Sequence, residues 1–171
     1  MGRGEEAGRE HRVGLPPVVG LAPRVLILGS MPSVQSTLKG QYYGNPLNLF
    51  WRLMADVLEE GMPEDYTGRC EVLKRNGIAV WDVLAECDIQ GSGDHSISDP
   101  VPNDLTSFLN ENESVHHLFI NGKTAFKYYR KFHPEAIERE VTLLPSSSPA
   151  NAIKYADRLH AWMAIRNALR S

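Results

Sequence analysis

The residues best suited to chemistry lie between Val25 and Trp51, in the stretch VLILGSMPSVQSTLKGQYYGNPLNLFW. Its apolar start, VLIL, predicts a strand that is buried on both faces, as in a parallel sheet. A Gly-Ser-Met-Pro turn ends the strand, and two tyrosines, a Gly-Asn-Pro turn and Asn48 follow it. Aromatic faces stack on flat rings, and side-chain amides orient water. We therefore predict a loop that holds a flat heterocycle together with the polar groups that act on it.

Each of these residues also has a purely structural explanation. Gly29 permits close approach of a ligand, and the backbone around Ser30 and Met31 could contact a base or a phosphate, but the same residues suit an ordinary strand-to-helix turn. Tyr43 offers a face on which a base could stack, or it could pack in the core. Asn48 could orient a water or cap the helix that follows. The Gly-Lys-Ser/Thr ending of a Walker loop is missing.

Three later strands are predicted at 78–84, 117–120 and 141–144, and each is followed by polar or turn-forming residues. Asp82 ends the first apolar run, and a buried carboxylate needs partners or a ligand, so it could read a base edge or cap the next segment.

The other two strand ends carry candidate contacts to a phosphate. Asn121 and Lys123 lie at a helix start that could meet a phosphate or be a plain helix start. Hydroxyl and N–H groups of a rigid turn suit contact with a DNA backbone, and they are provided by Ser146, Ser147, Ser148 and Asn151.

Strands that alternate with helical patterns predict an α/β fold, a central four-stranded parallel sheet with helices on both faces in three α/β/α layers. The carboxyl ends of parallel strands share one edge, so all the strand-end turns should form a single site there. The helical patterns cover residues 47–60, 64–76, 104–110, 124–132 and 155–169. We read residues 1–23 as a flexible N-terminal segment and residues 24–171 as one domain.

Composition limits the class of protein. The chain has 171 residues, a formal net charge of −3 and two cysteines, Cys70 and Cys87. Two cysteines favour reduced thiols in a cytoplasmic protein over a disulfide framework or an iron–sulfur cluster. We expect no metal, because His116 and His117 point to opposite faces of a strand. We expect no membrane span, since no apolar run reaches about 20 residues. Basic residues concentrate after position 120 and allow one positive face.

At this point the turns match a family: the chain resembles the uracil-DNA glycosylase superfamily, in particular its hypoxanthine and mismatch-specific branches. The resemblance is carried by GSMPS at 29–33, YYGNPLNLFW at 42–51, GIAVWDVL at 77–84, INGKTAF at 120–126 and LPSSSPAN at 144–151. It implies a three-layer fold, no cofactor, and excision of a deaminated base that is flipped out of double-stranded DNA. Hypoxanthine is the first expectation for that base and uracil the second.

The resemblance also implies roles for the residues. Most members carry Asp or Asn where this chain has Met31. In the hypoxanthine branch, catalysis is attributed to the Asn that corresponds to Asn48. Tyr43 would then stack on the base, while Asp82 and the backbone near Ser30 would contact its edge. No lysine nucleophile is evident, so we expect a monomeric, monofunctional enzyme, although Lys39 and Lys123 leave lyase activity open. Alternatives are a non-catalytic nucleic-acid or nucleotide binding module and a small-molecule nucleoside hydrolase.

Overall fold

The computed structural model describes residues 9–90, 96–133 and 137–171. Its strands are β1 (Arg9–Val13), β2 (Val25–Gly29), β3 (Ile78–Asp82), β4 (Leu84–Gln90), β5 (Ser98–Pro102), β6 (His117–Asn121) and β7 (Glu140–Leu144). Its helices are α1 (Val34–Lys39), α2 (Phe50–Leu58), α3 (Tyr66–Arg75), α4 (Leu105–Glu111), α5 (Lys123–Phe132), α6 (Tyr155–Trp162) and α7 (Ala164–Arg170).

The central sheet has four strands in the order β3-β2-β6-β7. Every neighbouring pair in this sheet is parallel. The chain starts the sheet in its interior at β2 and then adds a strand on either side, which requires crossover connections. The predicted central parallel sheet of four strands is confirmed.

Side chains of the central sheet alternate between two hydrophobic cores, one on each face. On β2, Val25 and Ile27 join a core shared with α2, α3, α6 and α7. Leu26 and Leu28 join a core shared with α4 and α5. All of these β2 side chains are fully buried, which explains why the strand is continuously apolar rather than alternating. Helices therefore cover both faces of the sheet, as the three-layer prediction requires.

A second sheet contains β1, β4 and β5 in that spatial order and is antiparallel throughout. The prediction of a flexible segment over residues 1–23 is wrong for Arg9–Val13, which pairs along its full length with β4. It is also wrong for Val18, which bridges to Val80. No strand is predicted from the sequence between residues 88 and 102, yet this range contains the end of β4 and all of β5. Residues 1–8 and 91–95 lie outside the described residues.

Arg12 fastens β1 to the turn that follows β2. Its side chain is only 3% exposed, and Nη1 donates to the Pro32 carbonyl oxygen at 3.1 Å. Nη2 lies 3.3 Å from Glu10 Oε2, which gives the buried guanidinium a carboxylate partner. Because Pro32 directly follows Met31, the N-terminal strand helps to position the first turn of the predicted site.

Several helix bounds differ from the sequence-based prediction. Helix α2 begins at Phe50 rather than at residue 47, and the predicted C-terminal helix divides at Met163 into α6 and α7. Helix α1 is an additional element, and the Ser33 side chain caps it by accepting the Ser36 N–H. Cys70 and Cys87 are both buried, and no disulfide joins them. No helix in the described ranges is long and apolar enough to cross a membrane.

Candidate functional site

The carboxyl ends of the parallel strands meet at one edge of the central sheet. Gly29 at the end of β2 is in register with Asp82 on β3. Asn121 at the end of β6 is in register with Leu144 on β7. The turns that leave these strands carry most of the predicted site residues, so the structure brings together what the sequence places in four separate segments.

Gly29 leaves space that two polar side chains of the protein occupy. A Cβ atom at this position would lie 2.6 Å from Asp82 Oδ1 and 3.2 Å from Tyr43 Oη. The first distance is shorter than any real Cβ contact, so a side chain here requires the Asp82 carboxylate to move. Gly29 therefore permits close approach of two side chains of the protein, while close approach of a ligand stays a prediction.

Tyr43 lies in a left-handed backbone conformation, with φ of 52°, which costs a non-glycine residue about 1 kcal/mol. Its ring stacks on Phe50, with centroids 3.9 Å apart and planes 16° from parallel. Only the opposite face of the ring is left for a base. Burial, and then the negative charge of Asp82, raise the pKa of Tyr43 well above its ordinary value. The phenol is therefore protonated at neutral pH and can donate a hydrogen bond.

Asn121 connects two parts of the site through its side-chain amide. Its Nδ2 donates to Tyr43 Oη at 3.1 Å and to Ser147 Oγ at 2.9 Å. Its Oδ1 accepts the Ser147 N–H at 3.0 Å, so both ends of the amide are used. The network fixes the hydroxyl edge of the stacking residue relative to the serine-rich turn after β7.

Two of the predicted DNA contacts, Asn121 and Ser147, are buried in this network. Asn121 is 9% exposed and Ser147 only 1%, and both side chains bond within the protein. These bonds give the two side chains a positioning role, while their predicted contact with a phosphate stays a prediction. The sequence feature that indicates a positioning role is an amide side chain directly after an apolar run, Leu118 to Ile120. The structure shows that this run is fully buried.

Ser146, Ser148 and Asn151 shape the turn after β7 and remain accessible. Ser146 Oγ accepts the Ser148 N–H at 3.0 Å, and Ser148 Oγ accepts the Ala150 N–H at 3.2 Å. Asn151 Nδ2 donates to the Ser146 carbonyl oxygen at 3.1 Å. A hydroxyl that accepts from the backbone still carries its own proton. The two half-buried serines are therefore suited to donate to a phosphate, as predicted from the sequence.

Asn48 lies at the start of α2, and its amide has a fixed direction. Its Oδ1 accepts the Phe50 N–H at 3.0 Å, from a position one residue before Leu49, which is the N-cap of α2. The following N–H, of Leu49, donates to the Ser147 carbonyl oxygen at 3.0 Å. Asn48 is half-buried. Asn48 precedes Phe50, on which Tyr43 stacks, by two residues. It directly precedes Leu49, which bonds to the serine-rich turn.

The turn after β2 is bonded to the segment after β3. Val83 N–H donates to the Gly29 carbonyl oxygen at 2.8 Å, and Leu84 N–H donates to the Ser30 carbonyl oxygen at 3.2 Å. The partly buried Met31 side chain packs against the core shared with α4 and α5. Met31 therefore contributes no polar side-chain group to activate water, which agrees with the sequence-based expectation.

Lys39 and Lys123 are the two lysines that leave lyase activity open. Lys39 Nζ donates to the Gly44 carbonyl oxygen at 2.9 Å, which holds it on the loop before Asn48. Lys123 is exposed at the first residue of α5. The described residues contain no group of three or more His, Cys, Asp and Glu side chains that could hold a metal ion.

Comparison with known proteins gives one consistent result. A family model described as the uracil DNA glycosylase superfamily matches residues 16–170. A protein of Methanosarcina acetivorans named hypoxanthine DNA glycosylase is 36% identical over 153 residues, which are 89% of this chain and 96% of that protein. A protein of Methanosarcina barkeri with the same name is 35% identical over 150 residues, 87% of this chain and 94% of that protein.

The fold agrees with these matches. A solution NMR structure from Methanosarcina acetivorans, described as a candidate uracil DNA glycosylase, superposes with a TM-score of 0.84 at 34% identity. The superposition covers 95% of this chain and 100% of that one. Sequence match, fold and the convergence of the strand-end turns thus lead to one assignment. The chain belongs to the uracil DNA glycosylase superfamily.

Proposed function

We propose that this protein is a monofunctional DNA glycosylase that hydrolyses the N-glycosidic bond of a deaminated base, with hypoxanthine as the preferred base and uracil second. One observation carries the proposal: the oriented Asn48 amide lies beside the stacked Tyr43–Phe50 pair at the carboxyl edge of the sheet. Two relatives that bear the name hypoxanthine DNA glycosylase support the choice of base. Action as a monomer and the cytoplasmic location stay predictions.

The proposed reaction begins with a base that has rotated out of the duplex onto the free face of Tyr43. Asn48 orients a water molecule towards C1′ of the deoxyribose. The C1′–N bond breaks with oxocarbenium character, and its electron pair leaves with the base. The water oxygen bonds to C1′, and the proton that it loses ends on the departing base. Hydrogen-bond donors of the site stabilise the charge that develops on the base.

Base selection is assigned to Asp82 and to the backbone of the first turn. A carboxylate accepts hydrogen bonds, so Asp82 suits the N–H edge that a deaminated base presents. A buried acceptor of this kind favours a base whose N–H edge matches it over a base that lacks this donor. Asp82 is 4% exposed and lies against Gly29, so a contact with its carboxylate would be shielded from solvent.

The test is base release from matched duplexes that contain deoxyinosine, deoxyuridine or deoxyxanthosine, followed by alkali cleavage. We expect the wild type to release hypoxanthine fastest. Asn48→Ala should reduce single-turnover release by about 100-fold or more, because it removes the group that orients water. Its affinity for the lesion duplex should stay within about threefold, since binding rests on other contacts.

Asn48→Ser separates catalysis from helix capping. Serine also accepts a backbone N–H at a helix start, so this variant should keep the wild-type melting temperature. Its base release should nevertheless be as slow as that of Asn48→Ala. Unchanged release in either variant would remove Asn48 from the mechanism. Wild-type binding to DNA without release from any duplex would favour the non-catalytic binding module.

A further inference from the structure

Helix α5 presents a stripe of exposed cations that the proposed reaction does not use. Lys123, Lys127, Arg130 and Lys131 recur at the helical spacing i, i+4, i+7 and i+8, and together with Phe126 they line one shallow groove. All of these cations are exposed. We call this surface the α5 stripe.

Within the described residues, the cations of the α5 stripe have no carboxylate partner in a salt bridge. Like charges at i and i+4 disfavour a helix, and the chain as a whole carries a net charge of −3. The stripe is therefore a local concentration of positive charge on an acidic protein, which suits a polyanion.

Aromatic rings contact three cations of the stripe. The Arg130 guanidinium lies 5.7 Å from the ring centroid of Phe126, and Lys127 Nζ lies 5.4 Å from that of Tyr128. Lys131 Nζ lies 5.5 Å from the ring centroid of Phe132. Such contacts restrict where the side chains point without neutralising their charge. The charged groups of the stripe are therefore held in restricted positions along one side of the helix.

The stripe begins at the edge of the site. Helix α5 follows Gly122, where a Cβ atom would lie 3.0 Å from Ser146 Cβ, so the first residue of the helix is beside the serine-rich turn. From Lys123 to Lys131 the helix advances about 12 Å, which corresponds to between 3 and 4 base pairs of duplex. Because α5 connects two parallel strands, it runs from the carboxyl edge of the sheet back along one side of the domain. The stripe is thus within reach of a duplex flank that bends towards this side.

We propose that the α5 stripe binds the phosphate backbone of duplex DNA on one side of the lesion. This inference rests on the proposed function, because it takes the lesion duplex as the ligand of the site. Lys127 and Arg130 each neutralise a phosphate away from the flipped base. They add affinity without adding base specificity, because phosphate contacts carry no sequence information.

The test compares the double variant Lys127→Gln/Arg130→Gln with the wild type and with Arg170→Gln. Arg170 is exposed at the C-terminal end of α7, where the Leu169 carbonyl bonds to Arg24 at the amino end of β2, so it lies at the opposite edge of the sheet. Dissociation constants are measured at several salt concentrations. The double variant should lower the slope of log affinity against log salt by about 1.8, corresponding to two lost phosphate contacts, while Arg170→Gln leaves it unchanged.

A second comparison locates the flank. Duplexes are prepared with the lesion central, near the left end or near the right end of the lesion strand. The difference in affinity between wild type and double variant should vanish when one particular flank is shortened, and persist when the other is. Single-turnover release at saturating DNA should equal the wild-type rate, since the substituted residues lie outside the catalytic turn.

Four outcomes would support or overturn the inference that the α5 stripe binds DNA. Equal affinity and salt slope for the wild type and the double variant would overturn the inference, as would an equal loss in Arg170→Gln. A loss that appears only with an A-form RNA duplex would overturn it in favour of a different polyanion. A reduced salt slope on DNA in a protein that releases no base would support the stripe while refuting the proposed glycosylase activity.

Discussion

At the end of β2, the absence of a side chain on Gly29 lets Asp82 and Tyr43 approach each other. We predict that Gly29→Ala destabilises the protein by about 1 to 3 kcal/mol, because its methyl group would lie 2.6 Å from Asp82 Oδ1. Urea unfolding measures this cost. Gly61→Ala is the matched control: no atom lies within 4 Å of a Cβ at that position, so a change of at most about 0.5 kcal/mol is expected. Equal stability of the two variants would contradict the close packing.

The sequence indicates which residues form the predicted site better than it indicates what each residue contacts. Tyr43 and Asn48 are recognisable because their types suit stacking and orientation of water. The direction of a side chain is decided by its tertiary partners. Asn121 and Ser147 were therefore predicted to contact DNA, whereas they bond to each other. Their chemistry is compatible with both roles, and only burial distinguishes them.

On β6, His117 couples the stability of the sheet to pH. Burial lowers the pKa of His117, partly opposed by the charge of Glu140 and assisted by that of His116. The folded state therefore binds the proton less readily than the unfolded state. Stability is complete above the ordinary histidine pKa of about 6.5 and is lost as pH falls below it. We predict that His117→Gln reduces the loss of unfolding free energy between pH 7 and pH 5 in urea titrations.

His11 on β1 provides the opposite control. Its hydrogen bond to Asp88 raises the pKa of His11, so its contribution is present at low pH and disappears as pH rises. His11→Gln should therefore steepen the loss of stability on acidification, relative to wild type. Parallel pH profiles for wild type and both variants would show that neither histidine is linked to folding.

At the scale of elements, the central strands were predictable and the second sheet was not. Strands buried on both faces, such as β2, are continuous apolar runs, so they can be recognised from the sequence without knowledge of the fold. Strand β1 contains a single buried residue, which is Arg12, a type expected at the surface. Strand β4 alternates buried Cys87 and Ile89 with acidic residues, so its pattern resembles the polar turns beside it.

Across the whole molecule, Arg12 links the two sheets through Pro32. We predict that Arg12→Met lowers the unfolding free energy by about 1 to 3 kcal/mol, because the Pro32 carbonyl loses a buried charged donor. Hydrogen exchange should accelerate in the turn after β2. Arg9→Met is the control, since Arg9 bonds to Ser98 on the exposed surface. Unchanged exchange in Arg12→Met would show that the turn is held without this contact.

The pairing of β1 with β4 also bears on the order of folding. His11 contacts Asp88 across 77 residues of chain, and in the central sheet Val25 of β2 pairs with His117 of β6 across a still longer stretch, whereas the helices form locally. Contacts that close long loops form late and slow the folding rate. The turn after β2 depends on both of these pairings, because it follows β2 and its Pro32 carbonyl is bonded to Arg12 of β1. The predicted site at this turn is therefore completed late in folding, after the helices have formed.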